Sequence, residues 1–267
     1  MTDALGVYTD FNTVKFKMGQ AESCRSVVAT EFPLTIEAGS IEIATLACSP
    51  SNIEELVTGF LYTNGFISAV DEIVSFALDT HSWKVRVNLL NEPDTSQILR
   101  RVYTSGCGKG VVFTNMVELI GRFPLSSKLQ VHGAKIPELM QWLQRASELH
   151  TITGGVHTAA FSQGGKQPEG AMDDIGRHNA VDKVIGDALR RGMDMSCGML
   201  LTTGRVSSEI VHKVRRGGIP IVVSQGAPTH QAVLQALAMN LTLVCFARGQ
   251  NYTIFSHPER LVHENIV

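Results

Sequence analysis

The run Met199-Leu-Leu-Thr-Thr-Gly-Arg-Val-Ser-Ser-Glu209, followed by Ile219-Pro-Ile-Val-Val-Ser224 and Leu241-Thr-Leu-Val-Cys-Phe246, decides the fold. Each contains a short, nearly continuous apolar stretch, as expected of a strand covered on both faces. Between them, Ser207 to Arg216 and Thr229 to Met239 read as helices; upstream, a helix from about Pro137 to His150 precedes a strand at Ala159 to Ser162. This alternation is the signature of a layered α/β fold. In open α/β sheets the ligand crevice lies beyond the carboxyl ends of the strands.

The polar motifs of the chain fall at such ends. They are Thr153-Gly-Gly-Val-His157, Asp173 to Lys183, Thr203-Gly-Arg-Val-Ser-Ser-Glu209, Ser224-Gln-Gly-Ala-Pro-Thr229 and Phe246-Ala-Arg-Gly-Gln-Asn251. The second, Asp-Asp-Ile-Gly-Arg-His-Asn-Ala-Val-Asp-Lys, packs seven ionisable or amide side chains into eleven residues. Ile175 and Gly176 read as a strand end and turn. Ala180, Val184 and Ala188, with Val181, Ile185 and Leu189 alongside, then continue at helical spacing to about Arg191. The free N–H groups of a helix start suit an anion such as phosphate. Ordinary capping accounts for Asp174 or Asn179, but not for Arg177, His178, Asp182 and Lys183 together. Ser207 or Ser208 can cap the next helix and Glu209 can stabilise its first turn. Arg205 is better explained as a clamp on phosphate or carboxylate, and Arg177 and Lys183 join it as phosphate contacts. His157, His178 and Asp173 read as pocket lining rather than as acid or base. Together the motifs describe a wide polar crevice for a large anionic ligand; none has the glycine spacing of a Walker or Rossmann loop.

Composition limits the rest. The chain has 267 residues, 44% hydrophobic and 18% charged, enough for a sizeable core in one large domain or two smaller ones. A net charge of −2 argues against generic nucleic-acid binding. No window approaches the roughly 20 apolar residues of a membrane helix, and the N-terminus lacks a signal pattern. A cytoplasmic protein is expected, with neither membrane nor nucleic acid as partner.

Cys24, Cys48, Cys107, Cys197 and Cys245 are an odd set at wide spacings, which speaks against a disulfide scaffold and leaves no structural zinc pair. No metal site is expected. Cys48, Cys197 and Cys245 lie in apolar runs and read as inert core thiols. Cys107 stands apart in Thr104-Ser-Gly-Cys-Gly-Lys-Gly110, where three glycines let a ligand or chain come close and Lys109 favours the thiolate. The bland alternative is a loop cysteine of no consequence.

The first half reads differently. From about Asn12 to Leu90 the text is β-rich, with strands at Ser26 to Phe32 and Ile41 to Ala47 and further strand character from Val70 to Leu90. One helix, from Ser51 to Tyr62, has an N-cap serine and is closed by Gly65. Residues 91–136 read as a long connection carrying the Cys107 loop. The expected division is a β-rich domain over 1–133 and an α/β domain over 134–267, α+β overall.

Across nearly its whole length the chain resembles the FdhD/NarQ family, the formate dehydrogenase accessory sulfurtransferases. The likeness rests on Glu55-Leu-Val-Thr-Gly-Phe-Leu61 with Gly65 and Ile67, Ser105-Gly-Cys107-Gly, Thr153-Gly-Gly-Val-His157, Asp174-Ile-Gly-Arg-His-Asn-Ala180 with Asp182 and Lys183, Gly204-Arg-Val-Ser-Ser-Glu209, and Ala227-Pro-Thr229. The combination in this order is highly specific.

The resemblance implies a protein that accepts sulfur from a cysteine desulfurase as a persulfide on Cys107. It would deliver that sulfur to the bis(molybdopterin guanine dinucleotide) molybdenum cofactor destined for formate dehydrogenase, the client, and hold no cofactor permanently. By match of position, Phe246, Ala247, Arg248, Gly249, Gln250 and Asn251 would contact the cofactor. The second half is similar to the cytidine-deaminase fold. A zinc deaminase is excluded, because Thr158 and Ala159 follow His157 where a catalytic Glu is needed and no Cys pair lies downstream. Many family members carry Cys-x-x-Cys in the loop; here it reads Cys107-Gly-Lys-Gly110, so a two-thiol relay within the loop is absent while transfer through Cys107 alone stays chemically sufficient. The competing reading is a non-catalytic protein that binds or escorts the molybdenum cofactor. A homodimer fits either reading, since a long cofactor and its client both require extended surface.

Overall fold

A computed structural model of the chain describes residues 6–92 and 124–263. Its centre is a six-stranded mixed sheet built from β8 (His157–Gln163), β9 (Met172–Asp174), β10 (Gly198–Thr202), β11 (Ile221–Ser224), β12 (Thr242–Arg248) and β13 (Asn251–Ser256), in the order β13-β12-β11-β10-β8-β9. β10, β11 and β12 run parallel, whereas β8 is antiparallel to β10, β9 to β8 and β13 to β12. The carboxyl ends of β9 to β12 and the start of β8 therefore share one edge of the sheet.

Side chains alternate across the sheet and bury both faces. Leu200, Val222 and Leu243 pack under α4 (Arg177–Arg190), α5 (Ser208–Arg216) and α6 (His230–Ala238), meeting Ile185, Val211 and Ala236. Met199, Leu201, Val223 and Val244 pack on the other face against Ile136, Leu139 and Leu143 of α2 (Lys135–Ala146). This is why the strands read as continuous apolar runs. The single helix expected from Pro137 to His150 is in fact two, α2 and α3 (Glu148–Thr153). Ser147 breaks them apart with an extended backbone, and its Oγ accepts from the His150 N–H at 2.8 Å.

The N-terminal half holds a four-stranded sheet of order β4-β3-β6-β5, from β3 (Phe32–Ala38), β4 (Ile41–Cys48), β5 (Ile73–Asp79) and β6 (Lys84–Leu89). Leu34, Ile36, Ile43 and Val85 bury against Leu56, Val57 and Leu61 of α1 (Ile53–Thr63). Ser51 does not cap α1; Asn52 is the flanking residue, left-handed at φ 52°, with no side-chain cap bond. The expected strand from Ser26 to Phe32 is two, the end of β2 (Gln20–Ala29) and the start of β3, with Thr30 and Glu31 outside both. β2 pairs only with β1 (Tyr8–Lys17) among the described residues, forming a separate ribbon. Leu125 and Val131, both ahead of residue 134, already pack in the cores of the C-terminal half. Val131 and His132 form a short strand, β7, pairing with β14 (Leu261–Val262).

The two halves meet where α1 crosses α4 with almost nothing between the backbones. A Cβ on Gly59 would lie 1.9 Å from the Asp182 carbonyl oxygen, and one on Gly186 would lie 1.9 Å from that of Glu55. Only glycine fits at either place. Beside this crossing the seam is polar and buried. Lys183, with no exposed surface, pairs with Asp174 at 2.8 Å and donates to the carbonyls of Asp173 (2.9 Å) and Ser49 (3.4 Å). Asp174 also accepts from the Ser49 N–H at 3.1 Å and the Asn179 amide at 2.9 Å, and Asn179 donates to the Ala47 carbonyl at 2.8 Å. A second buried pair joins Lys213 to Asp182 at 2.8 Å, with Thr63 of α1 donating to the same carboxylate at 2.8 Å. Buried charges survive only when paired and hydrogen-bonded in this way.

Candidate functional site

The shared sheet edge opens into a pocket of about 490 Å³, lined by Gly154, Gly155, Val156 and His157, by Ile175, by Thr203 and by Gln225, with Leu143, Gln144 and His150 at its side. Four of the five polar motifs thus converge on one cavity of a size suited to a small-molecule ligand. The fifth joins through Arg248, whose Nε donates to the Gln225 carbonyl at 3.1 Å.

Backbone contacts hold the rim loops at fixed distance. The Ser224 hydroxyl donates to the Gly204 carbonyl at 2.6 Å and accepts from the Gly226 N–H at 2.9 Å; the Phe246 N–H donates to the Gly226 carbonyl at 3.1 Å. A Cβ on Gly226 would come within 2.7 Å of the Arg205 nitrogen, so glycine lets the loops after β10 and β11 lie backbone to backbone. A Cβ on Gly204 would press on the Cβ of Arg177 at 2.7 Å, so that glycine makes room for the first residue of α4.

Charge at the rim is positive. Burial lowers the pKa of His157, and Arg177, His150 and Arg205 push it down further. His178 is depressed more, to about 3, by burial first and then by Lys213 and Arg177. A neutral His178, with Nε2 3.1 Å from the Ser207 hydroxyl and 3.5 Å from Glu209, serves as a hydrogen-bonding wall and is not an imidazolium acid near neutral pH. One ring nitrogen facing both neighbours is not a nucleophile-activating arrangement, which needs the two nitrogens to serve different groups.

The expected site residues separate into three groups. His157 lines the pocket; Arg177 and His178 stand beside it at the start of α4, half-buried; Arg205 and Arg248 are exposed. Lys183 differs from the expectation of a phosphate contact: its ammonium is fully enclosed and committed to Asp174. Asp173 is also a brace, accepting from Ser147 and Thr158 hydroxyls at 2.7 Å each. Sequence reasoning does not single out Ser147, Thr158 or Ser49, since their partners lie 15 or more residues away.

Phe246 to Asn251 spans the end of β12, the turn at Gly249 and Gln250 and the first residue of β13, and does not lead to a helix. A bulge between Cys245 and Arg248 and a left-handed Phe246 (φ 55°) turn that ring outward, 46% exposed and 6.0 Å from Phe255. Ala247 points the other way, 3% exposed, into the core under α2, so its side chain is not available to a ligand. Arg248, Gly249, Gln250 and Asn251 are exposed.

Cys107 and its glycine loop lie outside the described residues. Of the other thiols, Cys48 and Cys245 are buried and pushed up to about 12 by that burial, so they stay protonated. Cys197 corrects the expectation of a core thiol: it is exposed in the turn before β10, where the apolar run starts only at Gly198, and it donates to Asp194 at 3.1 Å. Among the described residues no group of three His, Cys, Asp or Glu side chains is placed to hold a metal, and no helix is long and apolar enough to cross a membrane.

Fold and site together define a mixed α/β protein with a cationic crevice at one sheet edge. It belongs to the FdhD/NarQ family, whose sequence profile matches residues 29–262. The chain is 35% identical over 249 residues to the sulfur carrier protein FdhD of Bacillus subtilis, covering 92% of this chain and 95% of that one. It is 37% identical over 251 residues to the protein of that name in Staphylococcus aureus strain MRSA252, with 93% and 94% covered. A crystal structure described as a formate dehydrogenase accessory protein from Desulfotalea psychrophila superimposes with a TM-score of 0.79 at 25% identity, over 96% of this chain and all of that one. The protein is accordingly a family sulfur carrier associated with formate dehydrogenase maturation.

Proposed function

We propose that the protein takes sulfane sulfur from a cysteine desulfurase onto Cys107 and passes it to a bis(molybdopterin guanine dinucleotide) held in the crevice, for use by formate dehydrogenase. In the loading step the Cys107 thiolate attacks the terminal sulfur of the donor persulfide and the donor leaves as its own thiolate. Lys109, two positions on in the sequence, favours the attacking form. The observation that carries the reading is the convergence of the polar motifs on one pocket flanked by Arg177, Arg205 and Arg248. Guanidinium forks suit the diphosphate of a guanine dinucleotide, and the pocket volume suits one nucleotide arm rather than the whole cofactor.

In this reading residues 1–133 carry the thiol loop and residues 134–267, likened to the cytidine-deaminase fold, hold the acceptor. His157 lines the phosphate end with Arg177 beside it, Arg205 and Arg248 clamp it from the rim, and exposed Phe246 offers a ring nearby. Asp173, His178 and Lys183 set the positions of these groups from behind.

Intact-protein mass spectrometry after incubation with a cysteine desulfurase and cysteine tests the proposal. The parent should gain one sulfur, about 32 Da, reversed by reductant and absent from Cys107→Ala. No gain while the desulfurase itself is charged would favour the escort reading, to which the Gly110 in place of a second loop thiol points.

A further inference from the structure

His157 opens β8 at the sheet edge, half-buried in the crevice wall, and pairs across to Asp174 of β9. Its Nδ1 lies 3.5 Å from the Thr203 hydroxyl, whose oxygen already accepts from the Thr158 N–H at 3.0 Å. The hydroxyl proton is thus the one directed at Nδ1 of the neutral ring, which places the ring's own proton on Nε2. A hydroxyl can equally accept, so a protonated ring keeps the same neighbour with the direction of the bond reversed. Among the described residues nothing bonds to Nε2, which leaves that nitrogen to a ligand in the pocket.

The charges around the ring are lopsided. Arg177 at the start of α4, Arg205 on the loop after β10 and His150 on α3 all face it from the cationic side. The acids nearby are already committed. Asp174 pairs with Lys183 at 2.8 Å, and Asp173 accepts from the Ser147 and Thr158 hydroxyls. His178, further round the start of α4, is kept neutral chiefly by burial. Burial first, and then the two arginines and His150, hold the His157 ring below the ordinary imidazole value. A diphosphate diester carries two negative charges that do not titrate near neutral pH. Seated between Arg177 and Arg205, it offsets the charges that repel a proton from the ring and offers an anionic oxygen to an N–H donor.

We propose, resting on the reading of a diphosphate ligand in the crevice, that His157 is a proton-accepting binding residue: its ring takes up one proton from solvent as the anion enters and returns it as the anion leaves. The imidazolium then donates from Nε2 to a phosphate oxygen and from Nδ1 to Thr203. The ring gains an N–H and the buffer loses a proton, with no other bond made or broken. Because the ring binds its proton more tightly in the complex than in the free protein, affinity is flat at alkaline pH. It rises as pH falls through the titration of the ring in the complex and levels off below the titration in the free protein.

Isothermal titration with GDP-mannose, a guanine nucleotide whose diphosphate is a diester like that of the cofactor, tests this in two buffers of different ionisation heat. At pH 7 the parent should take up about 0.3 to 1 proton per ligand bound, and its affinity should be at least about threefold higher at pH 6 than at pH 8. His157→Gln should bind with no dependence on buffer, whereas His150→Gln should keep the proton uptake. Binding by the parent that is independent of buffer and pH overturns the inference and leaves the crevice reading standing. Uptake that survives in His157→Gln and disappears in His150→Gln assigns the proton to α3 and overturns it as well. A parent that does not bind GDP-mannose overturns the crevice reading, and the role of His157 with it.

Discussion

The seam between α1 and α4 and the rim of the crevice use the same kinds of side chain for opposite ends. Lys183 and Arg177 lie less than two turns apart on one helix, yet Lys183 has no exposed surface while Arg177 stands beside the pocket. Direction along the helix decides which it is. The side chains of Asn179, Asp182 and Lys183 and the bare Cα of Gly186 face α1 and the β4 end, where backbones touch; Arg177 at the helix start faces the sheet edge. A charged motif therefore has to be divided by partner before function is read from it, and here half of it holds the two halves of the molecule together.

The largest expected effect is at the seam. Gly186→Val drives carbon atoms into the Glu55 carbonyl and the Gly59 nitrogen, and should cost several kcal/mol or leave the chain unfolded, as urea denaturation would show. Lys183→Met leaves the Asp174 carboxylate buried without its counter-charge and should cost about 3–5 kcal/mol by the same assay. At the rim, Arg205→Ala should leave stability within about 0.5 kcal/mol of the parent, because the side chain is exposed. If Arg205→Ala destabilised the fold as much as Lys183→Met, the division between seam and rim would fail.

A smaller effect depends on pH. His178 and His212, the latter half-buried on α5, have folded pKa values of about 3 and about 4 against 6.5 unfolded, each chiefly through burial. Below pH 6.5 the unfolded chain takes up these protons and the folded chain does not, so stability is complete above that pH and is lost as pH falls toward 4. The slope is up to about 1.4 kcal/mol per pH unit for each proton. Urea midpoints at pH 7.5, 6 and 5 should decline in that order, and His178→Asn should flatten the decline.

Much of the layered half is legible in the sequence, because its strands are covered on both faces and its polar residues gather at their ends. The crevice can be located for the same reason. What escapes reading is long-range. Nothing near Asp174 announces that Ser49, 125 residues earlier, will satisfy it, and a buried Lys183 looks in sequence like an exposed one. Cys197 reads as a core thiol because apolar Met195 and Met199 to Leu201 flank it, although it closes the turn that ends just before β10. The exposure of the β1–β2 ribbon is hidden because apolar residues such as Val14 and Phe16 read alike in sequence whether they end up buried or exposed.

Isothermal titration with guanosine diphosphate tests the central claim most directly, that the crevice binds the acceptor while a separate thiol carries the sulfur. The parent and Cys107→Ala should bind alike, and the Arg205→Ala/Arg248→Ala double variant, still folded, should lose at least about tenfold in affinity, the equivalent of roughly 1.4 kcal/mol. Equal binding by the double variant, or loss of binding in Cys107→Ala, would contradict the account.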